Sequence, residues 1–270
     1  MNLSNILSHR NRTLLRELVA TEFKLRYQGS ALGYLWSLAR PLLMFGILFI
    51  VFGYIAKFGG NIDHYPLYLL LGIVLWNFFA EATSFGLQSI VGRGDLIRKI
   101  NFPKYIIVIS GSISALINLG FSLIVVLLFI IFSGVELRPI ALLLPFLVIE
   151  LYLFALALAF ILSALYVKYR DISHIWELVM QAGIYATPII YPLSLVTDIS
   201  PLAAKVMLLS PIAQIIQDAR YVLITPSTET LLKLTNSGLI SLIPLAIICL
   251  AITVGGLYFQ RSSKYFAENV

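Results

Sequence analysis

The chain has 270 residues, of which 60% are hydrophobic and only 12% are charged, and its mean hydropathy is +0.94. A soluble surface cannot carry so much apolar side-chain area, so the composition excludes an ordinary soluble globular protein. The net charge of +6 comes from basic residues dispersed among apolar runs, which argues against a nucleic-acid-binding domain.

The first 32 residues are basic but lack the continuous apolar core of a cleaved signal peptide. Their apolar residues recur near one helical face, and most of the charged residues fall elsewhere. This pattern predicts an amphipathic helix that lies in the membrane interface ahead of the first span. A solvated leader that only delivers positive charge is the alternative. The apolar set is Leu14, Leu15, Leu18, Val19 and Leu25.

Six segments are long and apolar enough to cross a membrane as helices. A helix needs about 20 apolar residues, at about 1.5 Å each, to cross about 30 Å of hydrocarbon. The sequence therefore predicts an all-α polytopic membrane protein with one transmembrane domain over 1–270. An interfacial segment covers 1–32, the six helices fall within 33–260 and a tail covers 261–270. The predicted spans are 33–56, 65–90, 106–132, 140–167, 176–196 and 238–260.

The basic residues predict the orientation of the chain. An even number of crossings places both termini on one side, together with loops 91–105 and 168–175. Most of the lysines and arginines fall on that side, which the positive-inside bias assigns to the cytoplasm of a bacterial plasma membrane. The basic residues predicted on the outer side are Lys57, Arg138, Lys205, Arg220 and Lys233.

The long segment between the fifth and sixth predicted spans is not loop-like. Apolar residues within 198–223 recur at helical intervals, and Ser210–Pro211 interrupts them. Because the residue before a proline disfavours helix, we expect two short helices with a break before Pro211. They form either a hairpin resting on the outer interface or a re-entrant pair that closes the outer end of a pathway.

The sequence lacks the motifs that would supply chemistry within this chain. It contains no Gly-x-x-x-x-Gly-Lys-Ser/Thr phosphate loop, no Gly-x-Ser-x-Gly elbow and no zincin helix. The three histidines are far apart and Cys249 is the only cysteine, so no ligand-like spacing occurs. We therefore expect no metal, no cofactor and no catalytic residue in this chain.

Three ionisable residues stand out within the predicted spans, where a charge is costly unless it has a partner or a wet cavity. Arg40 and Glu81 lie at nearly the same predicted depth, so we hypothesise that they pair. Snorkelling of Arg40 to the inner headgroups is the alternative. Glu150 falls near the middle of the fourth span, either as a protonated, helix-facing carboxyl or as a pathway residue.

Aromatic residues are abundant in the predicted spans, and three phenylalanines share one face of the first span. Rings in membrane helices usually serve packing or the interfacial belt. They also present flat apolar faces along which sugar rings can slide without strong hydrogen bonds. The candidate substrate-pathway residues are Phe45, Phe49, Phe52, Trp76, Tyr185 and Tyr191.

A series of motifs, in order along nearly the whole chain, resembles the permeases of type 2 ABC transporters. Within that family it resembles the branch that exports O-antigen, capsule and teichoic-acid polymers. A departure is Ser210–Pro211, where an Asn-Pro pair is common in relatives, which puts only the local helix capping in doubt. The motifs are Arg26-Tyr27-x-x-Ser30-x-Leu32-Gly33-x-Leu35-Trp36, Arg40-Pro41-Leu42, Gly72 with Trp76-x-Phe78-Phe79, Leu96-Ile97-Arg98-Lys99 with Phe102-Pro103, Tyr169-Arg170-Asp171-Ile172 and Thr187-Pro188-Ile189-Ile190-Tyr191.

The resemblance implies a homodimer of this chain joined to two copies of a separate ATPase, which binds the ATP and Mg. It also implies a coupling helix between spans two and three that docks on the ATPase, whereas a plain basic loop is the alternative. Arg170 and Asp171, after span four, are a second candidate contact. The candidate coupling residues are Asp95, Leu96, Ile97, Arg98, Lys99, Phe102, Pro103 and Lys104.

Proline positions and basic groups suggest further roles. Pro188 removes a backbone hydrogen bond inside the fifth span, so we expect a kink there. Following the resemblance, that kink and the break at Pro211 belong to a gate, although packing alone explains a kink too.

The family also implies lateral access for a polyprenyl-linked substrate, with Arg26 and Arg40 as candidates for binding its pyrophosphate.

The leading hypothesis is thus the permease subunit of an ATP-driven exporter for a polyprenyl-linked polysaccharide or teichoic-acid-type polymer. Its partners are the ATPase, a second copy of the chain, the lipid-linked glycan and membrane lipids. A type 2 ABC exporter of drugs or lipids is the alternative within the family. From other classes, a membrane-embedded glycosyl or acyl transferase would need clustered catalytic groups, and a secondary transporter would need paired broken spans.

Overall fold

The computed structural model describes residues 9–27, 35–55, 62–100 and 102–269, and every regular element among them is helical. A π-helical segment, Phe49–Ile55, follows α2, and 3₁₀ turns occur at Val91–Arg93, Pro139–Leu143 and Ser263–Tyr265. The predicted all-α class is confirmed. The α-helices, numbered in chain order, are α1 (His9–Tyr27), α2 (Leu35–Leu48), α3 (Tyr65–Ser89), α4 (Gly94–Lys99), α5 (Tyr105–Phe132), α6 (Leu144–Lys168), α7 (Ile172–Ala186), α8 (Ser194–Ile199), α9 (Pro201–Leu208), α10 (Pro211–Leu223), α11 (Leu231–Thr235), α12 (Gly238–Ser241), α13 (Ile243–Ser262) and α14 (Phe266–Asn269).

Four helical stretches in the described part of the chain are long and apolar enough to cross a membrane. They match the second, third, fourth and sixth predicted spans, so the polytopic membrane fold is confirmed. The predicted count of six is not, because α2 gives way to the π-helical segment and α7 has only 15 residues. The four stretches are Tyr65–Ser89, Tyr105–Phe132, Pro139–Lys168 and Gly238–Tyr265.

The fifth predicted span does not form one kinked helix over 176–196. Helix α7 ends at Ala186, and Thr187 has an extended backbone with φ −97° and ψ 139°. The ring of Pro188 clashes with a helical conformation at Thr187, so the helix stops instead of bending. The chain then runs without an α-helix until α8 begins at Ser194.

Helix α3 is the centre of the bundle. It packs along α5 and α6 and also contacts α2, α7 and α10, so most of its residues are buried. Apolar burial gives little driving force between helices in lipid, where packing and interhelical hydrogen bonds hold them together. One such bond runs from Asn118 Nδ2 on α5 to Glu81 Oε1 on α3 at 2.7 Å. Another joins Ser112 Oγ on α5 and Tyr152 Oη on α6 at 3.2 Å.

One end of the bundle, which we call the terminal end, brings the N-terminal helix and the C-terminal tail together. Helix α1 lies along α5, with Leu14, Leu15 and Leu18 packed inward, as an amphipathic helix requires. Its exposed charged residues are Arg12, Arg16, Glu17 and Lys24. Arg93 pairs with Glu22 of α1 at 3.5 Å, and Lys104 Nζ donates to the Ser263 carbonyl oxygen at 2.7 Å. An apolar group, the terminal-end cluster, fills the space between these segments: Leu18, Ile90, Ile97, Phe102, Ile106, Ile107, Val108, Ala159, Ala164, Val167, Phe259 and Phe266.

The short helices α8 to α11 lie at the opposite end, which we call the far end. The predicted break before Pro211 is present, since α9 ends at Leu208 and α10 begins at Pro211. The two helices differ in depth. Leu202 and Val206 of α9 are exposed, whereas almost every residue of α10 is buried against α3, α6 and α13. Helix α10 is therefore inserted into the bundle and does not rest on its surface.

Candidate functional site

A cleft of about 780 Å³ runs between α3 and α7. Its lining residues on α3 extend from Trp76 to Gln88, about 18 Å along the helix axis at about 1.5 Å per residue. The cleft is open along one side, because no residue of α7 is buried. Its lining residues are Met44, Trp76, Asn77, Ala80, Ser84, Leu87, Gln88, Ser173, His174, Trp176, Glu177, Met180, Gln181, Ile184 and Tyr185.

Two tryptophans fasten α7 to α3 and thereby set the width of the cleft. Trp176 Nε1 donates to Thr83 Oγ1 at 3.1 Å, which joins the helices near the terminal end. Nearer the far end, the Trp76 ring fits against Gly183, where a Cβ atom would come within 2.5 Å of the ring. A glycine is thus required at 183 for this close approach of the two helices.

The cleft combines aromatic faces with neutral hydrogen-bonding groups. Asn77, Ser84 and Gln88 recur at helical spacing along α3, and Gln181 faces them from α7. Trp76, Trp176 and Tyr185 supply the rings. Aromatic faces pack against the C–H faces of sugars, and amides and hydroxyls exchange hydrogen bonds with sugar hydroxyl groups. The lining therefore suits a neutral, hydroxyl-rich molecule better than a purely apolar one.

The far end of α7 poses a hydrogen-bonding problem, because the helix stops at Ala186 and the carbonyl groups beyond it have no helical partners. Thr187, Pro188, Ile189 and Ile190 are nevertheless all buried. Irregular backbone at membrane depth is tolerated only when the protein itself satisfies its polar groups. The partners come from α3 and α10.

Arg220 of α10 supplies most of these hydrogen bonds. Its side chain is 0% exposed. Its Nη1 donates to the Pro188 oxygen at 2.5 Å, and its Nη2 donates to the Ile189 oxygen at 2.7 Å. Its Nε donates to the Tyr68 oxygen at 2.9 Å, and the guanidinium carbon lies 3.6 Å from the Tyr68 ring centroid. The planar guanidinium thus joins α10, α3 and the segment after α7 in one contact.

Neighbouring side chains complete this far-end clamp. Tyr65 Oη donates to the Ile190 oxygen at 2.6 Å, and Gln217 Oε1 accepts from Tyr68 Oη and from Arg220 Nη1, each at 3.0 Å. Gly72 lies one helical turn after Tyr68, where a Cβ atom would overlap Arg220 Nη2. The absence of a side chain at 72 leaves room for the guanidinium.

The structure separates the predicted pathway residues into two groups. Trp76 and Tyr185 line the cleft, and Tyr191 Oη donates to the Tyr185 carbonyl oxygen at 2.9 Å. The three phenylalanines pack against the core around α3 instead, with the rings of Phe45 and Phe49 stacked at 5.8 Å. None of the predicted pathway residues Phe45, Phe49 and Phe52 is among the cleft-lining residues.

The predicted coupling residues are also divided by burial. Ile97 and Phe102 are buried in the terminal-end cluster, so they hold the loop in place. Arg98 Nη2 lies 3.6 Å from Asp95 Oδ1, and both side chains are largely exposed. The residues open to a partner are Asp95, Arg98, Lys99 and Ile100, whereas Leu96, Pro103 and Lys104 are half-buried.

The remaining candidate residues are spread over several places. Arg170 lies at the terminal end over the Tyr166 ring at 5.3 Å, and Asp171 is exposed. Pro188 and Pro211 lie at the far end, where Pro188 accepts from Arg220. Arg26 and Arg40 belong to α1 and α2, but their side chains lie outside the described residues, so the Arg40–Glu81 pair stays a prediction.

Sequence reasoning missed the polar stripe of α3 and the clamp. Asn77, Ser84 and Gln88 lie seven and four residues apart within an apolar span, and this helical spacing was the available signal. Arg220 was counted only as an outer charge, although it sits in the apolar pattern of 198–223. Glu150 is buried in α6 and is not among the cleft-lining residues. In the described ranges no group of three potential metal ligands occurs.

Comparison with known proteins identifies, over most of the chain, the family that the sequence motifs resemble. The profile of the family described as ABC-2 type transporter matches residues 13–224, which includes α3, α7 and α10. The chain is 29% identical to an O-antigen export system permease protein, RfbA, of Myxococcus xanthus over 269 residues, covering 96% of each protein. It is 34% identical to RfbA of Klebsiella pneumoniae over 97 residues, which are 36% of this chain and 37% of that protein.

A profile match of this extent identifies the family, and members of this family cross the membrane while a separate subunit hydrolyses ATP. The chain belongs to the ABC-2 type transporter family and is the transmembrane subunit of an ABC transporter.

Proposed function

We propose that this chain is the permease of an ATP-driven exporter that moves a polysaccharide across the bacterial inner membrane. The observation that carries the proposal is the cleft between α3 and α7, where tryptophan and tyrosine rings alternate with amide and hydroxyl groups. Such a wall offers a sugar chain many weak, similar contacts. The O-antigen export system permease protein RfbA of Myxococcus xanthus is similar to this chain over nearly the full length.

The lining of the same cleft fits the export of drugs or lipids less well. An apolar cargo would leave the amides of Asn77, Gln88 and Gln181 without hydrogen-bonding partners once water is displaced. Each buried and unsatisfied polar group costs about 1–3 kcal/mol. A glycan satisfies these groups, so the lining favours a polysaccharide.

The open side of the cleft supports the proposal of a homodimer. Along α7 the residues Ile175, Leu178 and Val179 are exposed, so one chain supplies only part of an enclosing wall. A second copy facing it across a two-fold axis would enclose a passage lined twice by the same rings. Each copy would then work with its own copy of the ATPase.

The terminal end is proposed to face the cytoplasm and to bind the ATPase. Basic side chains concentrate there, as the positive-inside bias requires of the inner side. The exposed residues Asp95, Arg98 and Lys99 of α4 are the proposed contact, and Arg170 and Asp171 flank it. Arg26 and Arg40 are kept as proposed ligands of a polyprenyl pyrophosphate. The segment around Pro188 and the break at Pro211 are proposed to move when the far end opens.

Export in cells tests the proposed function. Deletion of the gene should leave the lipid-linked polysaccharide on the inner face of the membrane, and the wild-type chain should restore its appearance outside. Tyr185→Ala removes a ring that is 66% exposed in the cleft, so we expect reduced export with normal membrane abundance. Tyr54→Ala, at an exposed position of the π-helical segment that does not line the cleft, is the matched control and should export normally.

Three results would contradict the proposal. Normal polysaccharide export in the deletion strain would show that this chain does not export the polymer. Equal export by the Tyr185→Ala and Tyr54→Ala variants would show that the cleft is not part of the pathway. Purified chain without its partner should hydrolyse no ATP. ATP hydrolysis by the chain alone would contradict the assignment of that activity to a separate subunit.

A further inference from the structure

The charge of the cleft narrows the class of polymer, if the proposed function holds. Among the described lining residues Glu177 is the only carboxylate, and none is a lysine or an arginine. The other titratable lining side chains in this set are His174 and Tyr185. We propose that the exported polymer has repeating units without negative charge, and that Glu177 discriminates against anionic repeats.

Glu177 is placed where a passing polymer must meet it. It lies near the middle of α7, on the turn between Trp176 and Met180, and all three residues line the cleft. Its Oε1 accepts only a long contact of 3.4 Å from Gln181 Nε2, and its side chain is exposed to the cleft. No ion pair with Glu177 occurs among the described residues, so its charge remains available to act on a polymer.

Apolar walls make this charge effective. Large apolar side chains line the cleft beside its polar groups: Trp76, Trp176, Leu87, Met180 and Ile184. Like charges a few ångströms apart repel more strongly in such a place than in open water. A phosphate or uronate in each repeat would meet that repulsion at every step of transport, and a second copy of the chain would double it.

The neutral polar groups of the cleft also favour a polymer without negative charge. Asn77, Ser84, Gln88, Ser173 and Gln181 offer amides and hydroxyls that serve as donor and acceptor alike. Sites for phosphate or carboxylate instead rely on arginine and lysine. Arg40 belongs to α2, and its side chain lies outside the described residues. The described wall is therefore built for hydroxyl-rich, uncharged sugars.

Transport of two matched polymers tests the inference. The wild-type permease and its ATPase are reconstituted in liposomes at about pH 8, where histidine side chains are mostly neutral. One substrate is a lipid-linked glycan with uncharged repeats, and the other is the same glycan with a phosphate on each repeat. The measured quantity is the ratio of phosphorylated to uncharged polymer transported, for the wild type and for Glu177→Gln.

We expect a low ratio for the wild type and a rise of about tenfold for Glu177→Gln, since loss of one repulsive charge nearby is worth roughly a factor of ten. Glu136→Gln neutralises an exposed carboxylate outside the cleft, and it should leave the ratio unchanged. The ratio is insensitive to a general loss of folded protein, which lowers both transport rates together.

The outcomes distinguish this inference from the proposed function. Equal transport of the two polymers by the wild type would overturn the inference and leave polysaccharide export standing. An unchanged ratio in Glu177→Gln would overturn the role of Glu177. Transport of neither polymer would overturn the proposed function and the inference with it.

Discussion

The two ends of the bundle are held together in different ways. At the far end, one buried guanidinium donates to three backbone carbonyl groups on two segments, and two tyrosines and a glutamine complete the clamp. At the terminal end, the apolar terminal-end cluster provides most of the packing. Its side chains come from α1, the loop after α3, α6, α13 and the tail. Its polar contacts, Arg93 with Glu22 and Lys104 with Ser263, are only partly buried.

The difference follows from what each end must satisfy. The far end contains non-helical backbone at 187–193, whose carbonyl groups need directional partners. The terminal end contains helix termini and side chains that can reach water, so non-directional packing is sufficient. A directional clamp tolerates little displacement, whereas apolar side chains can slide over one another with small changes in energy.

A functional consequence follows for movement within the bundle. The clamp ties α10, α3 and the segment after α7 into one unit, so these parts should move together at the far end. The loop around α4 is held mainly by apolar contacts of Ile97 and Phe102 in the terminal-end cluster, with the partly buried polar contacts of Arg93 and Lys104 on either side. It can therefore shift gradually when a partner pushes on its exposed residues.

The largest expected effect comes from Arg220→Met, which keeps an unbranched, flexible but shorter side chain and removes every donor. The carbonyl groups of Pro188 and Ile189 would be buried without partners, so we expect a loss of about 2–4 kcal/mol in the free energy of unfolding. Thermal unfolding in lipid nanodiscs, followed by tryptophan fluorescence, measures this loss.

Lys205→Met is the control, because Lys205 is a half-buried cation of α9 outside the clamp. Arg220→Lys should lie between the two variants, since an ammonium keeps the charge but cannot reach three carbonyls in one plane. The clamp would be refuted if Arg220→Met unfolded at the same temperature as Lys205→Met.

A smaller effect is expected from Gly72→Ala, which leaves Arg220 in place but crowds it. The new Cβ atom would overlap Nη2 and lie 3.3 Å from Ile189 Cγ2, so we expect a loss of about 1–3 kcal/mol. Gly120→Ala is the matched control, since nothing lies within 4 Å of that position on α5 and alanine favours helix there.

A double-mutant cycle sharpens this prediction. With Arg220 already replaced by methionine, the flexible thioether should yield to the new methyl group, and Gly72→Ala should cost less. Additive losses in the double variant would mean that Gly72 serves α3 packing rather than the guanidinium.

The fold was predictable wherever a segment keeps one apolar pattern along its whole length, as α3, α5, α6 and α13 do. Their apolar runs exceed the length needed to cross a membrane, so composition alone identified them. The fifth span was predicted wrongly as one helix kinked at Pro188, because hydropathy continues past that proline and the helix in fact ends at Ala186. The rule for the residue before proline predicted the break before Pro211 and applies equally at Thr187.

The clamp and the cleft were harder to predict, because both depend on distant pairings. Nothing in the local sequence shows that Arg220 meets Tyr68 and Pro188, which are 152 and 32 residues away. A buried arginine without a carboxylate partner is uncommon, so the charge was assigned to the outer surface. Trp76 and Tyr185 were predicted as pathway residues from their type, whereas Trp176 and Glu177 required knowledge of which face of α7 meets α3.

The smallest expected effect is at the terminal end, where Lys104→Met makes nearly the same chemical change as Arg220→Met. It removes the hydrogen bond to Ser263, but that carbonyl group lies at the end of α13 in a half-buried place, where water can replace the lysine. We expect about 1 kcal/mol or less of lost stability and an unchanged global unfolding temperature. Hydrogen exchange of the amides in α14 should become faster, because the tail loses one of its attachments while Phe266 stays packed against Phe259. A loss as large as that of Arg220→Met would show that the terminal end also depends on a single polar contact, and the contrast between the two ends would then be wrong.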